Sequence, residues 1–324
     1  MRILVTGGCG FIGSHVVDAL VNGGHDVAIV DNLSSGTLEN KNERARFYHA
    51  DICGPEADAI IREERPDIID HHAAQISVPQ SVSDPLGDAE VNIKGTLTLL
   101  ELSRLYRVKR FVFSSTGGAI YGEATTVPTP EEYVPQPASP YAISKFSAEH
   151  YIRFYGAHHG VEYVILRYSN VYGPRQIPHG EAGVVAIFTE ALLKHDLPTL
   201  NHFPGEPDGM VRDYCYVKDI ASANLLAVKT GRRGIFNIGT GRGTTTRDLY
   251  GRILRALRGK GIELGSSFDH PHTGGAREGD IKVSTLNADR AIAELGFRTT
   301  FPLEAGLDET VAWYLSKQQV QGKR

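Results

Sequence analysis

A phenol and an ammonium group stand four residues apart in the segment 141–145 (YAISK), and together they could move a proton. On a helix, residues at i and i+4 share one face, one turn apart. Tyrosine alone has a pKa of about 10, which is too high for a base at neutral pH. A neighbouring ammonium stabilises the phenolate and lowers that pKa. We therefore interpret Tyr141 as an acid/base group and Lys145 as its activator.

The same Tyr-x-x-x-Lys spacing occurs a second time, at Tyr214 and Lys218, and provides an internal comparison. Residues 213–218 alternate like a strand, on which four positions span roughly 13 Å. That separation is too large for a lysine to activate a phenol, so we interpret the second pair as structural. Pro140 precedes the first pair, and a proline at this position is a helix-start signal.

A glycine triplet lies between the first predicted strand and a helix that begins near residue 14. Gly7, Gly10 and Gly13 allow a tight turn and a close approach of the backbone to a pyrophosphate, which a helix N-terminus stabilises. Asp31 ends the second predicted strand, where its carboxylate can bind the ribose hydroxyls of an adenosine. An acid there repels a 2′-phosphate. The sequence therefore predicts bound NAD rather than NADP. The oxidised nicotinamide ring of this NAD would lower the pKa of Tyr141 further.

Polar and small residues follow other predicted strands at their carboxyl ends, the edge where an open parallel sheet binds its ligands. Asp51 and Ile52 follow the third strand, and the aspartate could pair with an adenine amino group. Residues 73–75 (AAQ) follow the fourth and leave room for a ribose or a nicotinamide. Hydroxyl groups end the fifth strand at 114–116, and we expect Thr116 to hydrogen-bond the reacting oxygen.

These residues need a framework that brings strand ends together. Short β-branched runs alternate with helical patterns over the first 170 residues, which indicates βαβ units. We predict strands at 2–6, 26–31, 46–49, 68–72, 111–115 and 161–168, and helices at 13–22, 57–64, 88–106 and 140–158. The predicted fold is α/β, a Rossmann-type doubly wound parallel sheet with a smaller mixed C-terminal substrate domain. We place the dinucleotide-binding domain at 1–173, with 212–243 returning to it, and the second domain at 174–324.

The composition argues against several other classes of protein. The 324 residues carry a formal net charge of −4, which gives no basic surface for nucleic acid. No apolar run approaches the roughly 18 residues of a membrane helix, and no basic-then-apolar leader precedes the first strand. The three cysteines lack metal-ligand spacing and fit a reduced cytosol. The histidines have no carboxylate or cysteine partners at ligand spacing, so we expect no metal site, and we expect a cytoplasmic location.

Further short motifs are spread over nearly the whole chain. They stand at 6–13 (TGGCGFIG), 31–33 (DNL), 71–75 (HHAAQ), 92–96 (NIKGT), 114–122 (SSTGGAIYG), 140–145 (PYAISK), 167–173 (RYSNVYG), 211–214 (VRDY) and 277–280 (REGD). In these motifs the sequence resembles the extended short-chain dehydrogenases/reductases and, within them, the UDP-galactose (UDP-glucose) 4-epimerases. The resemblance implies a UDP-sugar substrate and an NAD that stays tightly bound and is recycled.

By position, the resemblance makes Tyr141 the acid/base, Lys145 its activator and a ribose ligand, and Thr116 the partner hydroxyl. Asn92 would touch the cofactor, and Tyr168 would line its nicotinamide face. The cofactor-binding set is then Gly7, Gly10, Phe11, Ile12, Gly13, Asp31, Asn32, Asp51, Ile52, Ala73, Ala74, Gln75, Asn92, Ser114, Tyr141, Lys145 and Tyr168.

For the substrate, the resemblance assigns the sugar or its phosphate to Asn170, the UDP pyrophosphate to Arg212 and Arg277, and the uridine ribose to Asp280. Arginine suits phosphate because its guanidinium binds in a bidentate way. The residue four positions after that aspartate borders the 2-position of the sugar. Here it is Ser284, and a serine leaves room for an acetamido group, so we expect UDP-galactose and UDP-N-acetylgalactosamine to fit. The substrate-binding set is Thr116, Tyr141, Asn170, Arg212, Arg277, Asp280 and Ser284.

The reaction that the resemblance implies is 4-epimerisation of a UDP-hexose. Tyr141 takes the proton of the 4-hydroxyl while C4 gives a hydride to NAD, the 4-keto sugar rotates about its phosphate linkage, and the hydride returns to the other face. Related 4,6-dehydratases carry an Asp-Glu pair after the catalytic threonine, and related decarboxylases usually carry a glutamate in that loop. Here Thr116 is followed by Gly-Gly-Ala at 117–119. UDP-N-acetylglucosamine 4-epimerisation as the main activity and a nucleotide-sugar reductase or dehydrogenase of the same fold stay open as alternatives.

Two segments depart from the pattern of well-known 4-epimerases. Residues 181–185 (EAGVV) lack the paired asparagines that many of them place near the nucleotide. Arg175 and Gln176 resemble members that accept N-acetylated sugars, although several other epimerases share them. As in relatives, the helices at 88–106 and 140–158 would pair across a two-fold axis, which predicts a homodimer.

Overall fold

The computed structural model describes residues 1–178, 183–277 and 279–321. The strands are β1 (Arg2–Thr6), β2 (Asp26–Asp31), β3 (Arg46–His49), β4 (Ile68–His71), β5 (Arg110–Thr116), β6 (Glu162–Tyr168), β7 (Asn170–Tyr172), β8 (Thr199–His202), β9 (Val211–Tyr216), β10 (Gly234–Ile238), β11 (Gly243–Thr245), β12 (His272–Gly275) and β13 (Val283–Ser284). The helices are α1 (Phe11–Asn22), α2 (Glu56–Glu64), α3 (Val78–Ser83), α4 (Pro85–Ala89), α5 (Gly95–Tyr106), α6 (Gly117–Ile120), α7 (Pro140–His159), α8 (Val184–Leu193), α9 (Val217–Lys229), α10 (Thr246–Gly259), α11 (Asp289–Leu295) and α12 (Leu303–Gln321).

Seven of the described strands form one parallel sheet in the order β10-β6-β5-β4-β1-β2-β3. The chain builds outward from β1 to β3 and then crosses back to β4, so the strand order reverses beside β1. Thr6 pairs with His71 across β1 and β4, and Thr116 pairs with Tyr168 across β5 and β6. The register brings the carboxyl ends of these four strands to one edge. The predicted α/β, Rossmann-type sheet is therefore confirmed.

Alternation along the central strand explains why helices cover both faces of this sheet. Ile3 and Val5 belong to the apolar core that contains residues of α1 and α9, whereas Leu4, between them, belongs to the core that contains residues of α2, α5 and α7. Successive side chains of a strand point to opposite faces, so a strand that is apolar at every position is buried on both.

The later part of the chain builds a smaller layer around β9. This strand pairs antiparallel with β11 and parallel with β13 and β7, while β8 pairs with β12. Its core includes Tyr216, Leu249 and Val311, with side chains from α8, α10 and α12. Within 212–243, β9 lies in this small sheet, whereas α9 packs against α1 and β10 pairs with β6 of the large sheet.

The helix predicted at 88–106 is interrupted, so the expectation of one continuous helix is wrong. A π-helical turn at Glu90–Lys94 separates α4 from α5. The turn carries Asn92, whose buried amide donates to Asp88 Oδ1 at 3.0 Å and to Ser144 Oγ at 3.2 Å. π-helical turns disrupt the regular hydrogen-bond ladder and are common at functional sites. Here the turn places a polar side chain between three elements, where its bonds are satisfied.

The second Tyr-x-x-x-Lys pair is divided between two elements. Tyr214 lies buried in β9, which ends at Tyr216, and Lys218 stands exposed in the first turn of α9. The strand predicted over all of 213–218 is therefore wrong for its last two residues. Lys218 donates from Nζ to Oε2 of Glu309 at 2.6 Å, so a surface carboxylate engages its ammonium.

Helix α7 begins and ends with clear signals. The hydroxyl of Ser139 accepts from the backbone N–H of Ala142 at 3.2 Å, Pro140 occupies the first turn, and Gly160 ends the helix at φ 72°. These signals fix the start of the helix one residue before Tyr141. The side chains of Tyr141 and Lys145 are thereby placed one turn apart, as predicted from the spacing.

Two findings concern membrane spanning and metal ligands in the described part of the chain. None of the described helices is both long and apolar enough to cross a lipid bilayer. The described side chains also form no group of three or more His, Cys, Asp or Glu residues placed to hold a metal ion.

A buried ion pair fastens α7 to the sheet. Arg167 of β6 donates from Nη2 to Oε2 of Glu149 at 2.6 Å and from Nε to Oε1 at 3.0 Å. The two side chains are 3% and 1% exposed. Ser115 of β5 also donates to this carboxylate. The pair therefore ties the helix of Tyr141 and Lys145 to two strands.

We expect Arg167→Met to lower the free energy of unfolding by about 3–5 kcal/mol, because it leaves the Glu149 carboxylate buried without its partner. Urea denaturation followed by circular dichroism measures the change. Lys94→Met is the matched control, since Lys94 and Glu90 form an exposed i,i+4 pair that contributes little to stability. Equal losses in the two variants would contradict this role of the buried pair.

Candidate active site

A cleft of about 780 Å³ runs along the carboxyl edge of the large sheet, from the glycine loop after β1 to helix α7. Most residues that the sequence assigned to the cofactor and the reaction line it. They are Gly7, Gly10, Phe11, Ile12, Gly13, Asp31, Asn32, Asp51, Ile52, Ala73, Ala74, Gln75, Ser114, Thr116, Tyr141, Lys145, Tyr168 and Asn170.

The glycine loop forms a cradle that side chains would fill. Gly7 has φ +68°, and a Cβ there would lie 2.7 Å from the backbone N of Ala73. A Cβ at Gly13 would lie 2.2 Å from the carbonyl oxygen of Gly7. The first N–H groups of α1, which have no intrahelical acceptor, therefore stand open to a ligand at the loop. This arrangement fits the pyrophosphate of a dinucleotide.

At the other end of the loop, Asp31 presents a carboxylate to the cleft. Its Oδ2 accepts from the backbone N–H of Cys9 at 2.8 Å, and its Oδ1 accepts from that of Leu33 at 2.8 Å. Each oxygen keeps a further lone pair for a ribose hydroxyl. Asn32 donates to Oδ2 of Asp51 at 2.8 Å, which orders the neighbouring wall. The residues present therefore fit NAD, and the carboxylate is unsuited to a 2′-phosphate.

The opposite end of the cleft holds the tyrosine and the lysine. Lys145 is 4% exposed, and its Nζ donates to the carbonyl oxygen of Ser114 at 2.9 Å. This Nζ also lies 4.7 Å from the ring centre of Phe113. The hydroxyl of Thr116 acts on the phenol of Tyr141 and favours its ionised form. The end of β5 and the first turns of α7 together build this part of the site.

The chain's own groups do not lower the pKa of Tyr141, and the lowered pKa expected with an oxidised nicotinamide ring nearby stays a prediction. Burial and the nearby carboxylate of Asp88 raise the pKa of Tyr141 to about 12, against the smaller opposing effect of the Thr116 hydrogen bond. Burial lowers the pKa of Lys145 to about 8, although Asp88 and Glu149 act to raise it. At neutral pH the pair is thus an ammonium and a protonated phenol. Forming the phenolate requires a further positive charge, and the oxidised ring of NAD carries one.

Asn92 does not line the cleft, although the resemblance implies that it touches the cofactor. Its Oδ1 accepts from the backbone N–H of Gln75 at 3.0 Å, and its Nδ2 donates to the carbonyl oxygen of Gln75 at 3.0 Å. Gln75 in turn donates from Nε2 to Oδ1 of Asp88 at 2.9 Å. The polar atoms of Asn92 are engaged in these bonds. Asn92 therefore holds Gln75 in the wall of the cleft and lies behind Gln75.

The structure places the other expected substrate residues beyond the cleft wall, around β9. Arg212 of β9 pairs with Ser284 of β13 in the small sheet. The backbone N–H of Arg277 donates to Oδ2 of Asp280 at 2.8 Å. Asn170, which does line the cleft, pairs with Tyr214, two residues along β9 from Arg212. The small sheet therefore connects Arg212 and Ser284 to the cleft, whereas Arg277 and Asp280 stand between β12 and β13 in the chain.

Arg212 is a half-buried cation that has no ion pair with any described carboxylate. Its Nη1 donates to the carbonyl oxygens of Val211 at 3.0 Å and Lys282 at 3.4 Å. None of the described carboxylates lies within ion-pair distance of its guanidinium. Burial lowers the pKa of Arg212, although Asp280 is among the groups that act to raise it. Such a guanidinium suits an anionic ligand.

Several residues that line the cleft received no role from the sequence. His72 is the most informative of them, because it follows β4 at the sheet edge and the edge rule could have singled it out as it did residues 73–75. Ser34 and Ser35 also contribute, and no motif spacing points to them, whereas Gln176 belongs to the Arg175–Gln176 pair noted in the sequence. Glu278, and residues 181–182 of the segment without paired asparagines, lie outside the described residues.

Known proteins resemble this chain over almost its full length. The UDP-glucose 4-epimerase of Mycolicibacterium smegmatis is 41% identical over 327 residues, which cover 98% of this chain and 100% of that protein. The UDP-glucose 4-epimerase of Thermotoga maritima, solved with UDP-glucose, is 48% identical with a TM-score of 0.90, over 98% of this chain and 100% of the other. The UDP-glucose 4-epimerase of Thermus thermophilus, solved with NAD, is 44% identical with a TM-score of 0.89, over 97% and 99% of the two chains.

The model of one protein family matches residues 3–239, which include all of the large sheet except Arg2, and include Tyr141 and Lys145. The motifs from the glycine loop to the tyrosine–lysine pair fall inside this range, and the resemblance inferred from them is confirmed. The chain belongs to the NAD dependent epimerase/dehydratase family.

Proposed function

We propose that this protein catalyses the NAD-dependent 4-epimerisation of a UDP-hexose, interconverting UDP-glucose and UDP-galactose. The observation that carries the proposal is the meeting of Tyr141, Lys145 and Thr116 at one end of a cleft that fits NAD. The identity of 41–48% to UDP-glucose 4-epimerases over nearly the full length supports it.

When bound, NAD supplies the acceptor and then the donor of the hydride at C4 of the sugar. The residues of this chain manage the proton. Tyr141, once ionised, takes the proton of the 4-hydroxyl and later returns it, and Thr116 hydrogen-bonds the phenol and orients it. Lys145, fixed on the carbonyl of Ser114, keeps a positive charge near the phenolate. Since oxidation and reduction alternate within one site, the cofactor is regenerated in every cycle.

The acids around this site argue against elimination or decarboxylation. The carboxylates that line the cleft belong to Asp31 and Asp51, at the end opposite Tyr141. The loop after Thr116 is the short helix α6, with the sequence GGAI, which cannot transfer protons. No carboxylate among the described cleft residues thus stands beside the tyrosine, and proton transfer through the tyrosine is what a 4-epimerase needs.

For the nucleotide, we infer that Arg212 and Arg277 bind the pyrophosphate, that Asp280 binds the uridine ribose and that Asn170 contacts the sugar or its phosphate. The half-buried guanidinium of Arg212, which has no carboxylate partner in the described structure, supports this placement. When UDP is held in this way, the hexose extends toward Tyr141. It also keeps the nucleotide anchored while the 4-keto sugar rotates.

We propose a homodimer that forms on α5 and α7. Tyr151 and Phe154 of α7 are 42% and 49% exposed, and Leu105 of α5 is 59% exposed. Leu97, Tyr151 and Phe154 line a shallow depression of about 350 Å³ on this surface. Large exposed apolar side chains that are clustered in this way mark an interaction surface.

We also propose that 1–173, together with α9 and β10, forms the cofactor domain, that most of the rest forms the substrate domain, and that the protein is cytoplasmic. The pairing of β10 with β6 supports the first point, and the free state of Cys9, Cys53 and Cys215 supports the last. Limited proteolysis and cell fractionation test these assignments. Release of β10 from the fragment that retains β6, or recovery of the protein in a secreted fraction, would overturn them.

The wild-type protein should convert UDP-galactose to UDP-glucose without added NAD, and the anomeric proton signals in an NMR time course follow the reaction. Tyr141→Phe and Lys145→Met should each lower the rate by roughly 10²–10⁴-fold, since proton transfer is lost or unsupported. Lys218→Met, in the second Tyr-x-x-x-Lys pair, should keep full activity. Conversion that needs added cofactor and changes the absorbance at 340 nm would instead indicate a reductase.

The Ser284→Tyr variant should lose conversion of UDP-N-acetylgalactosamine and keep that of UDP-galactose, because the larger ring fills the space we infer for an acetamido group. Ser284→Ala is the matched control and should convert both sugars. Parallel NMR time courses with the two substrates measure the ratio. Loss of both activities in the tyrosine variant would refute this role of Ser284.

Phe154→Glu should convert the dimer to a monomer, since a charge cannot be buried in an apolar interface without a partner. Sedimentation velocity at micromolar concentration measures the mass. Ile292→Glu, at an exposed apolar position of α11 outside this surface, is the control and should leave the dimer intact. A wild-type protein that sediments as a monomer would rule out the interface.

A further inference from the structure

A buried aspartate and histidine at the end of β4 have no part in the chemistry described above. His72 Nε2 lies 2.9 Å from Oδ1 of Asp70, and the side chains are 3% and 0% exposed. They alternate with His71, whose imidazole bonds Thr96 of α5, so they point to the other face of the sheet. On that face they adjoin Tyr168, whose ring lies nearly parallel to that of His72, with centres 6.5 Å apart.

One polar atom of Asp70 and one of His72 lack a hydrogen-bond partner among the described residues. Oδ2 of Asp70 and Nδ1 of His72 are buried and have no hydrogen-bond partner among the described residues. Apart from His72, no basic side chain of the described chain lies within ion-pair distance of Asp70. Burying a carboxylate with a single hydrogen bond is costly unless a positive charge lies nearby. The carboxylate of Asp70 therefore favours a further cation nearby, and apart from His72 none of the described side chains places one within ion-pair distance.

The pair lies at the catalytic end of the cleft. His72 lines the cleft wall. The register pairs His71 with Phe113, so His72 follows beside Ser114, whose carbonyl oxygen holds the ammonium of Lys145. On the proposed function, the nicotinamide ring must be at this end, because the proton and the hydride leave from neighbouring atoms of the sugar and Tyr141 takes the proton.

The charge of this ring changes during the reaction. The oxidised ring is a cation and the reduced ring is neutral, so an anion nearby favours the oxidised form and a cation disfavours it. Lys145, which the tyrosine requires, is a buried cation at the same end and acts against the oxidised ring. A resting epimerase needs its cofactor oxidised, because a cofactor left reduced cannot begin a cycle.

We propose that the Asp70–His72 pair is the buried counter-charge of the oxidised nicotinamide ring and holds the resting cofactor as NAD⁺. In this proposal Nε2–H of His72 donates to the carboxylate of Asp70, which places one negative charge behind the cleft wall. The inference rests on the proposed function for the location of the ring. It assigns to Asp70 an electrostatic effect on the cofactor, with no contact to the sugar.

The test is Asp70→Asn, which removes the charge and keeps an oxygen that can accept from His72. Sodium cyanoborohydride delivers one hydride to the oxidised ring of the bound cofactor, and absorbance at 340 nm follows the reduction in the holoenzyme without sugar. We expect Asp70→Asn to be reduced roughly tenfold faster than the wild type, because the cation that the hydride neutralises has lost its counter-charge. A rate within twofold of the wild type would overturn the proposal.

The matched control is Asp219→Asn. Asp219 is also a buried carboxylate, 1% exposed, but it accepts from Thr300 and Phe301 and does not line the cleft. Its variant should be reduced at the wild-type rate. An equal acceleration in both variants would show a general loosening of the protein and would also overturn the proposal.

A second measurement applies if the Asp70→Asn protein loses its cofactor during purification. Added NAD⁺ and NADH each raise the melting temperature of a protein that binds them. The variant should keep the rise produced by NADH and lose most of the rise produced by NAD⁺, whereas an equal loss of both would refute the assignment. Neither readout uses a sugar, so failure of this inference and failure of the proposed epimerase activity are distinguishable.

Discussion

The buried ammonium of Lys145 is the interaction on which the site depends. An amine with 4% exposure in a protein core is unfavourable, as its lowered pKa shows, and it is retained by the carbonyl oxygen of Ser114 and by the carboxylates of Asp88 and Glu149. The carbonyl belongs to the end of β5, and both carboxylates are buried on helices that pack together. Holding this one charge therefore fixes the distance between α7 and the sheet.

The rest of the site follows from that attachment. Glu149 supports Lys145 and also pairs with Arg167 of β6, so the same helix face that carries the catalytic groups is bonded to two strands. Asp88 links α4 to the wall of the cleft through Gln75 and Asn92. These buried polar groups satisfy one another almost completely, and networks of this kind define a single arrangement of their elements.

Electrostatics at the two ends of the cleft differ in a way that suits one cofactor. At the adenosine end, Asp31 is an acceptor fixed by two backbone N–H groups. At the catalytic end, positive charge from Lys145 stands near Tyr141, and the chain alone leaves that phenol protonated, with a pKa raised to about 12. The protein thus supplies the proton carrier and its orientation, while ionisation depends on a cation that arrives with the cofactor.

The sequence by itself determined the large sheet, the glycine loop, Asp31 and the pairing of Tyr141 with Lys145. These features depend on local signals, since glycine spacing, strand alternation and a proline at a helix start act within a few residues. The tertiary structure alone decided the environment of those groups. It placed Asn92 behind Gln75, divided Tyr214 and Lys218 between two elements, and buried Asp70 against His72. It also set the pKa of Tyr141, because burial and the field of Asp88 act through space between residues far apart in the chain, and no spacing in the sequence records such distances.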